Sequence, residues 1–420
     1  MTHTLEHSRR AARWRALAAT LALIAGSAAW ADSSPYTIGV SETVTHDSNV
    51  VRLPDGAAPP ASVKASTDWI ATTALFAAVD QPIGRMRLFG NASVRDNHYR
   101  YNGDYSNLAY GLVGGLDWAT IERVSGTVNL SSNRSLASFD RGNGKNTPDV
   151  VKNIERTDQY GATVRVGVVT DLTMEGGLTQ QSQRFSVIGA RLDQTTARLG
   201  MRYRIGGELT LGGGLRFANG RYPDNADSFK ARNLDLSADW TPSPISTVAA
   251  RLGLGKTDHS AANAQDFSGA TGSLTWNWQP TAKLAFTSAL GRVTGNDSNF
   301  STLTGPTSVV TAQADNSRLT TTVDLNGSYE ATAKILVNAG YSRAARKLTN
   351  SLALNTGLSA ADTDADRLNR LRLGVRYLPT RTLQFDCNVG RESRSADKSL
   401  LSYSYSANTV ACAAQFSVQP

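Results

Sequence analysis

The sequence is poor in the features that mark several familiar protein classes. It has 420 residues with only 2 Cys, 5 His and 19% charged residues. Its clearest apolar run, Ala16 to Ala25, is far shorter than the roughly 20 residues that a membrane-spanning helix needs. With a mean hydropathy of -0.29, the composition excludes a bundle of membrane helices. Regularly spaced apolar residues, 36 Gly and no charge blocks argue against a disordered chain.

The N-terminus is typical of a secretory signal. Four arginines between residues 9 and 15 precede the apolar run, and Ala29-Trp30-Ala31 matches a signal-peptidase site. We therefore expect residues 1–31 to be a cleaved signal peptide and residues 32–420 to be the mature protein. A mitochondrial presequence is the alternative, which the discrete apolar run disfavours. The signal carries four Arg and Glu6, so three of the eight net positive charges belong to it. The remainder is too weakly basic to indicate a nucleic-acid partner.

Beyond the signal, apolar and polar residues alternate in segments of about ten, which is the signature of a transmembrane β-barrel. From Tyr160 to Val168, and again from Leu371 to Tyr377, every second residue is apolar and the residues between are Gly, Thr or Arg. One face of such a strand could touch hydrocarbon and the other only water. A soluble β-sandwich has the same period, with its apolar face turned inward.

Short and long connections also alternate along the chain. Short turns are predicted near residues 80–82, 119–120, 170–171, 206–207, 242–244, 279–280, 330–331 and 378–379, and examples of long polar loops are residues 139–149, 295–316 and 349–366. Outer-membrane barrels have short periplasmic turns and long outer loops. We therefore predict one all-β domain, an antiparallel up-and-down barrel of about 18 strands, with about 16 as the alternative count. Both chain ends would lie in the periplasm of a bacterial outer membrane.

Aromatic residues of the apolar face recur where strands approach the short turns. Amphipathic rings are stable at the boundary between lipid headgroups and hydrocarbon, so this placement favours the barrel over the sandwich. We expect an interfacial girdle formed by Trp118, Tyr203, Trp240, Trp278, Tyr329 and Tyr377.

The polar face carries arginines in the middle of strands, where a sandwich core would not tolerate them but a wet lumen would. The predicted lumenal arginines are Arg87, Arg165, Arg202, Arg216, Arg251, Arg318, Arg372 and Arg376. Acids are spaced similarly, at Asp117, Asp235, Asp239, Asp324 and Asp386. Two interpretations stay open: a lumen that attracts anions, or a neutral Arg–Asp network that stiffens the wall.

The two cysteines, Cys387 and Cys412, share the parity of the lipid-facing residues of the last two strands. The midpoint between them falls in the predicted loop Ser395 to Leu401, so they should lie opposite each other. Opposed residues have Cβ atoms about 4.5 to 5.5 Å apart, close enough for a disulfide after modest adjustment. We predict a disulfide between them, with two unpaired lipid-facing thiols as the alternative.

Signals for catalysis, metals and cofactors are weak, and we expect none of the three. His46, His98 and His259 fall at the outer ends of strands, where a histidine is usually a solvated loop residue. Because Ser and Thr are abundant throughout, a serine near a histidine says little, so a barrel lipid hydrolase is the least favoured function. The segment Asp362–Asp366 opens like a calcium loop but lacks the later Gly and Glu, which favours a solvated acidic loop. Gly212-Gly213-Gly214 lies within a strand, where we expect it to let bulky neighbours pack.

Three strings resemble one family. They are residues 47–56 (DSNVVRLPDG), residues 80–85 (DQPIGR) and residues 405–416 (YSANTVACAAQF). Together they resemble the outer-membrane barrel proteins found with exosortase-linked exopolysaccharide biosynthesis clusters, the EpsL-like group of β-barrel porins. The resemblance implies a role in secreting or assembling an exopolysaccharide across the outer membrane, with outer-membrane lipid and other export components as partners. We expect a polymer conduit whose lumenal arginines would contact an acidic polymer. A general or anion-preferring diffusion porin is the alternative function.

Overall fold

The computed structural model describes residues 34–419 except residues 122, 140–147, 149, 168–170, 188, 190, 226, 261–265, 295–303, 306–307, 310–317, 354–358 and 399–401. The predicted signal peptide lies outside the described residues. Apart from strands, the described chain contains two single-turn 3-10 helices, Gly103–Tyr105 and Pro223–Asn225. No helix in the described ranges is both long and apolar enough to span a membrane.

The described residues form one closed antiparallel sheet of 18 strands. Each strand pairs with its neighbours in sequence, and β1 closes the barrel by pairing with the last strand in the register Ile38–Val418 to Asp47–Thr409. This is the predicted up-and-down barrel, with the higher of the two strand counts. The strands are β1 (Tyr36–Asp47), β2 (Asp68–Ile83), β3 (Met86–Tyr99), β4 (Asn107–Ala119), β5 (Val124–Leu136), β6 (Ile154–Val166), β7 (Leu172–Phe185), β8 (Leu192–Ile205), β9 (Leu209–Tyr222), β10 (Asp227–Ser243), β11 (Ser246–His259), β12 (Phe267–Thr281), β13 (Leu284–Thr294), β16 (Arg318–Thr332), β17 (Ile335–Ala353), β18 (Ser359–Tyr377), β19 (Leu383–Ala396) and β20 (Tyr405–Val418); the two-residue strands β14 (Thr304–Gly305) and β15 (Ser308–Val309) form a separate ribbon between β13 and β16.

The two ends of the barrel differ. The short connections between β2 and β3, β8 and β9, or β10 and β11 all lie at one end, together with Tyr36 and Val418 at the ends of the first and last strands. The long connections, such as residues 48–67 between β1 and β2, lie at the other end. The barrel therefore has a turn end, which carries both ends of the described chain, and a loop end.

Every strand turns an apolar face outward. Large side chains of one parity are solvent-exposed along the strands, as in Leu199 (67% exposed), Met201 and Tyr203 of β8. The intervening residues point into the barrel and are mostly polar or glycine. An exposed apolar face that continues around a closed sheet is the arrangement expected when hydrocarbon surrounds the outside and water fills the inside.

Several predicted connections fall elsewhere. Residues 349–366, predicted as a loop, mostly belong to β17 and β18, which pair from Ile335–Tyr377 to Ala353–Ser359. Strands of 19 residues exceed the 9 to 11 or so that cross a bilayer, so their polar outer parts read as a loop in the sequence. The first turn lies at residues 84–85 rather than 80–82, because β2 continues through Pro82 to Ile83. The turns predicted at 279–280 and 330–331 likewise lie a few residues later, beyond register shifts in β12 and β16.

At the loop end, residues 48–67 fold onto the barrel instead of extending from it. Val50, Val51 and Leu53 are buried in a cluster with Tyr105 and Phe139. Arg52, in the left-handed conformation at φ 57°, binds Asp47 (2.8 Å) and Glu392 of β19 (2.9 Å). Burial opposes the charge of Arg52, but these two carboxylates more than offset it and raise the pKa of Arg52 above its ordinary value. The loop is thereby fixed across the seam between the two ends of the sheet.

Candidate functional site

The densest group of inward-facing charges lies on the wall formed by β6 to β11. Pairing places Arg165 opposite Glu175, Glu175 opposite Gly200, and Gly200 opposite Gly214. Gly214 in turn lies opposite Asp235 of β10. This line of directly paired residues crosses five strands. Three further arginines lie two residues from it along their strands: Arg198 and Arg202 on β8 and Arg216 on β9.

A recess of about 260 Å³ is centred on this line. Its floor is formed by inward-facing glycines, because the wall has no side chain at Gly200, Gly212 and Gly214. A Cβ at Gly214 would lie 2.7 Å from the carbonyl oxygen of Leu199 and 2.9 Å from the Cα of Gly200, so a larger residue does not fit there without a shift. The charged residues that line the recess are Glu175, Arg198, Arg202, Arg216, Asp235 and Arg251.

Two arginines of the recess are held by neighbouring aspartates. Arg216, only 2% exposed, donates from Nε and Nη2 to Asp235 at 2.8 and 3.2 Å. Arg251 donates from Nη2 to both carboxylate oxygens of Asp239, at 2.9 and 3.2 Å. Both are charge-assisted pairs, which fix the side chains to the wall and leave little net charge at these positions.

The other side of the recess carries an excess of positive charge. Arg165 and Arg202 share one carboxylate, Glu175, at Nε–Oε2 distances of 3.9 and 3.8 Å. Arg198 lies directly opposite Arg216 across β8 and β9, so two cations face each other there. Since one acid serves two half-exposed arginines, an anion entering the recess would meet an electropositive surface.

The remaining predicted arginines lie elsewhere on the inner wall. Arg87 binds Asp80 at 2.6 Å and approaches Asp117 at 3.7 Å near the turn end. Arg376 binds Asp386 at 2.8 Å. Arg372 is exposed and, among the side chains that the structure describes, has no carboxylate within ion-pair distance. Arg318 begins β16, but its side chain lies outside the description.

The ion pairs fit the Arg–Asp network for part of the wall, and the lumen that attracts anions stays a prediction for the rest. Arg87, Arg216, Arg251 and Arg376 belong to an Arg–Asp network of the kind that stiffens a wall. Arg165 and Arg202, with one acid between them, and Arg372 form the electropositive part. The role of these residues in binding anions stays a prediction.

Sequence reasoning missed three members of the recess: Glu175, Arg198 and Gly200. Each has the inward parity of its strand, so alternation alone could have placed them inside. Alternation within a strand does not show which inward residues of different strands lie side by side, because that depends on the register between the strands.

The two cysteines lie directly opposite each other in the last hairpin and their sulfurs are bonded, with a Cα–Cα distance of 4.1 Å. Both side chains have the parity of the exposed residues Phe385, Val389 and Val410, so the disulfide lies on the outer face. It joins β19 to β20, next to the strand pair that closes the barrel.

The six aromatic residues of the predicted girdle all have the outward parity of their strands and lie within a few residues of the turn end. Five are solvent-exposed, from 37% for Trp278 to 51% for Tyr203, while Trp118 is half-buried beside Gly126. Trp276, Trp278 and Phe286 continue this face as a stack, with ring centroids 5.6 Å apart.

The histidines lie at strand ends, as predicted, but they are not all solvated. His98 is exposed and His46 packs on Trp69 at 4.8 Å. His259 is buried, and its Nδ1 lies 2.7 Å from Asp227. The hydroxyl of Ser260 donates to the same carboxylate at 3.2 Å, so this serine is bonded to the acid of the pair.

The acidic segment 362–366 is also different from the prediction. Instead of a solvated loop it belongs to β18, with Asp364 and Asp366 only 5% and 1% exposed. Asp366 accepts from Arg346 Nε at 2.7 Å and from the hydroxyl of Ser402, which compensates its burial. In the described part of the chain, no three His, Cys, Asp or Glu side chains are grouped as metal ligands.

The glycine run of β9 has two faces. Gly212 and Gly214 point inward to the recess, while Gly213 points outward, where a Cβ would lie 3.7 Å from Leu236. The predicted packing role fits Gly213, and the inward pair forms the floor of the recess instead.

Comparison with known proteins adds structural likeness only. No protein-family model and no curated protein matches the chain. The fold is similar to OccK9 (OpdG) of Pseudomonas aeruginosa, at 13% identity and a TM-score of 0.47, over 91% of this chain and 98% of that one. It is also similar to the outer membrane protein opdK of the same organism (12%, 0.46, 91% and 99%) and to its OccK2 (OpdF) in complex with glucuronate (13%, 0.45, 92% and 96%). Likeness at this level carries no argument about function, and the resemblance to the exopolysaccharide-linked family stays a prediction.

Proposed function

We propose that the protein is a channel of the bacterial outer membrane whose inner wall favours small anionic solutes. The observation that carries the proposal is the combination of two surfaces on one closed sheet. The outer surface is apolar around the barrel, and the inner surface has a glycine-floored recess in which Arg202 lies beside Glu175, an acid that it shares with Arg165. We place the turn end, with both ends of the mature chain, on the periplasmic side of the membrane and the loop end at the cell surface.

The chemistry of the recess favours a small carboxylate, phosphate or sugar acid as the solute. Guanidinium groups bind such anions through charge-assisted hydrogen bonds, and two of them beside one carboxylate leave donors for a ligand. A volume of about 260 Å³ is close to the lower limit of ligand pockets, which suits a small molecule. An anion that binds weakly in such a recess could still pass, as conduction requires.

Export of an exopolysaccharide is the second candidate, and one observation favours it beyond the resemblance itself. Two of the resembling strings pack together at the loop end: the amide of Ser48 donates to the carbonyl of Asn408, and Asn49 Nδ2 donates to the carbonyl of Ser406. They form one local structure at the mouth of the barrel, where an emerging polymer would pass. Loss of the gene should abolish surface polysaccharide in this case, whereas a solute channel should alter the uptake of small anions.

Recording from the purified protein in a planar bilayer under a KCl gradient tests the channel. Wild type should conduct with a reversal potential that indicates preference for chloride. The variant Arg202→Gln/Arg372→Gln should move the reversal potential toward zero, because both side chains are exposed on the inner wall and neither is the only partner of an acid. A protein that does not conduct, or that prefers potassium, would contradict the proposal.

Arg343→Gln serves as the matched control. Arg343 lies on β17 with the outward parity of Val337 and Tyr341, and it is exposed. This variant removes one positive charge from the outer face, against two from the inner wall, so overall charge alone would give it half the shift of the double variant. A shift of that size would show that the effect reflects overall charge and not the inner wall.

A further inference from the structure

A row of three arginines crosses the outer face of the barrel near the loop end. Arg134 of β5 pairs with Arg156 of β6, and Arg156 pairs in turn with Arg184 of β7. Each has the parity of a large exposed residue of its own strand, in order Leu130, Tyr160 and Leu178. Because neighbouring strands lie about 4.8 Å apart, the three side chains start within a span of about 10 Å. We call them the arginine row.

The row has too few acids to balance it. Asp158 binds Arg156 at an Nε–Oδ2 distance of 2.9 Å. Arg134 and Arg184 donate to neutral oxygens instead, and among the described residues no carboxylate lies within ion-pair distance of either. Like charges placed directly opposite each other destabilise a sheet. The row is therefore unfavourable by itself and becomes favourable when an external anion lies among the arginines.

The next charges around the barrel do not supply that anion. Arg191, which precedes β8, binds Asp193 at 2.8 Å, and Asp193 has the outward parity of Leu199. The exposed Arg221 of β9 lies directly opposite Asp193, on its other side. Asp193 is thus already bordered by two cations, and the positive charge of the row stays in excess.

The row lies at the outer edge of the apolar band. On β6, ten residues separate Arg156 from Val166, the outward residue at the turn end of the strand. At about 3.4 Å per residue and a tilt of about 40°, this corresponds to about 25 Å along the membrane normal, which is the height of the apolar band in such barrels. Tyr160, 57% exposed, lies just inside the row, where an amphipathic ring is stable beneath headgroups. The guanidinium groups are therefore at the level of the lipid headgroups.

We propose that the arginine row binds the phosphorylated headgroup of a lipid in the outer leaflet. Guanidinium groups bind phosphate through paired charge-assisted hydrogen bonds, and basic clusters at the membrane surface recognise anionic headgroups. Three of them within about 10 Å can bracket a headgroup that carries more than one phosphate. The acyl chains of the lipid would lie against the exposed surface below the row, on Val128, Tyr160 and Leu178.

The position of the row selects a lipid over a free phosphate ion. The contacts with phosphate are the same in both cases, but only a lipid also covers the apolar residues directly below the arginines. The proposal rests on the orientation proposed above, with the loop end at the cell surface, and not on transport.

Lipid binding to the mature protein in detergent, measured by native mass spectrometry, tests the site. The probes are bisphosphorylated lipid A, the same lipid without its phosphates, and inorganic phosphate. Wild type should bind the phosphorylated lipid more tightly than the dephosphorylated one by more than about ten-fold, and inorganic phosphate should not displace it. Arg134→Gln/Arg184→Gln should weaken binding of the phosphorylated lipid by a similar factor. This variant leaves the pair of Arg156 with Asp158 intact.

Arg343→Gln/Arg391→Gln is the matched control. Both arginines are exposed and outward, but they lie on β17 and β19 and pair with Asn369 and Leu371 rather than with another cation. This variant removes the same charge from the outer face and should bind the lipid as wild type does. The shift of the folded barrel on unheated gels confirms that each variant has folded.

Four outcomes would overturn the proposal: equal binding of both lipids by wild type, unchanged binding by the row variant, equal loss in the control variant, or displacement of the lipid by inorganic phosphate. The measurement involves no ion flux. A folded protein that binds the phosphorylated lipid without conducting would therefore contradict the channel and leave the lipid site standing.

Discussion

Arg216 of β9 and Asp235 of β10 are diagonal neighbours on the inner wall, joined by two hydrogen bonds of 2.8 and 3.2 Å. The arginine side chain is 2% exposed and the aspartate 32% exposed, so water stabilises the carboxylate more than it stabilises the guanidinium. Removing Asp235 would leave a buried cation without this carboxylate, whereas removing Arg216 would leave a partly solvated carboxylate.

The pair should therefore show strong coupling in a double-mutant cycle. Arg216→Ala should lower the free energy of unfolding by about 1 to 3 kcal/mol, less than for a fully buried pair because Asp235 is partly solvated. Arg216→Ala/Asp235→Ala should cost less than the two single changes together. Urea unfolding in lipid vesicles measures these values. The pair Arg87–Asp80, whose side chains are 52% and 59% exposed, is the reference and should show weaker coupling; equal coupling would contradict the role of burial.

The neighbouring glycines Gly213 and Gly214 should differ in their tolerance of a side chain. Gly214→Ala places a Cβ 2.7 Å from the carbonyl of Leu199 inside the recess, whereas Gly213→Ala places one 3.7 Å from Leu236 on the outer face. We expect Gly214→Ala to be destabilising and to lower single-channel conductance, and Gly213→Ala to be close to wild type. Conductance and unfolding measured for both variants decide the matter. If the two alanines behaved alike, the recess would not lie on the conduction path.

The disulfide between Cys387 and Cys412 should be quantitative and stabilising. Denatured protein should contain no free thiol without reductant and two after reduction. Its loop spans 25 residues, so Cys387→Ala/Cys412→Ala should lose about 2 to 4 kcal/mol of unfolding free energy. In the reduced, folded barrel, a charged maleimide should react slowly and an apolar one quickly, because both sulfurs lie on the outer face. Equal thiol counts with and without reductant would exclude the bond.

Arg52 should hold the loop of residues 48–67 through both its charge and its backbone. Arg52→Ala and Arg52→Gly each remove the contacts with Asp47 and Glu392, but only glycine relaxes the backbone at φ 57°. We expect both variants to be cut faster by proteinase K in the exposed segment 55–62. The alanine variant should be less stable than the glycine variant by about 1 kcal/mol. Unchanged cleavage in both would show that the apolar contacts of Val51 hold the loop alone.

Much of the fold could be predicted from the sequence, because the apolar–polar alternation that marks a barrel strand is local. Alternation every two residues sets which side chains face outward, and the short turns set the order of strands, so the sequence predicted about 18 strands, with 16 as the alternative that the closed sheet excludes. The pairing of Cys387 with Cys412 could be predicted for the same reason, since a hairpin fixes its own register. The prediction failed in residues 349–366, where β17 and β18 extend beyond the length that crosses a bilayer and the sequence is mostly polar or small, so apolar alternation is weak.

The candidate site was predictable only in part. Inward parity placed Arg165, Arg202 and Arg216 on the inner wall, but their partners lie on other strands. Glu175 could not be recognised as the acid shared by Arg165 and Arg202, because nothing in the sequence aligns β6, β7 and β8 in height. The buried positions of Asp366 and His259 likewise depend on neighbours that are remote in the chain.

The sequence by itself determined the class of the structure, a closed antiparallel barrel with an apolar outside and a charged inside. The reason is that alternation within each strand fixes which residues face outward and which face inward. Only the tertiary structure decided which charges meet. The stagger between neighbouring strands brings Glu175 between Arg165 and Arg202 on the inside of the barrel. Stagger is a property of the closed sheet as a whole, so no single segment of the chain encodes it.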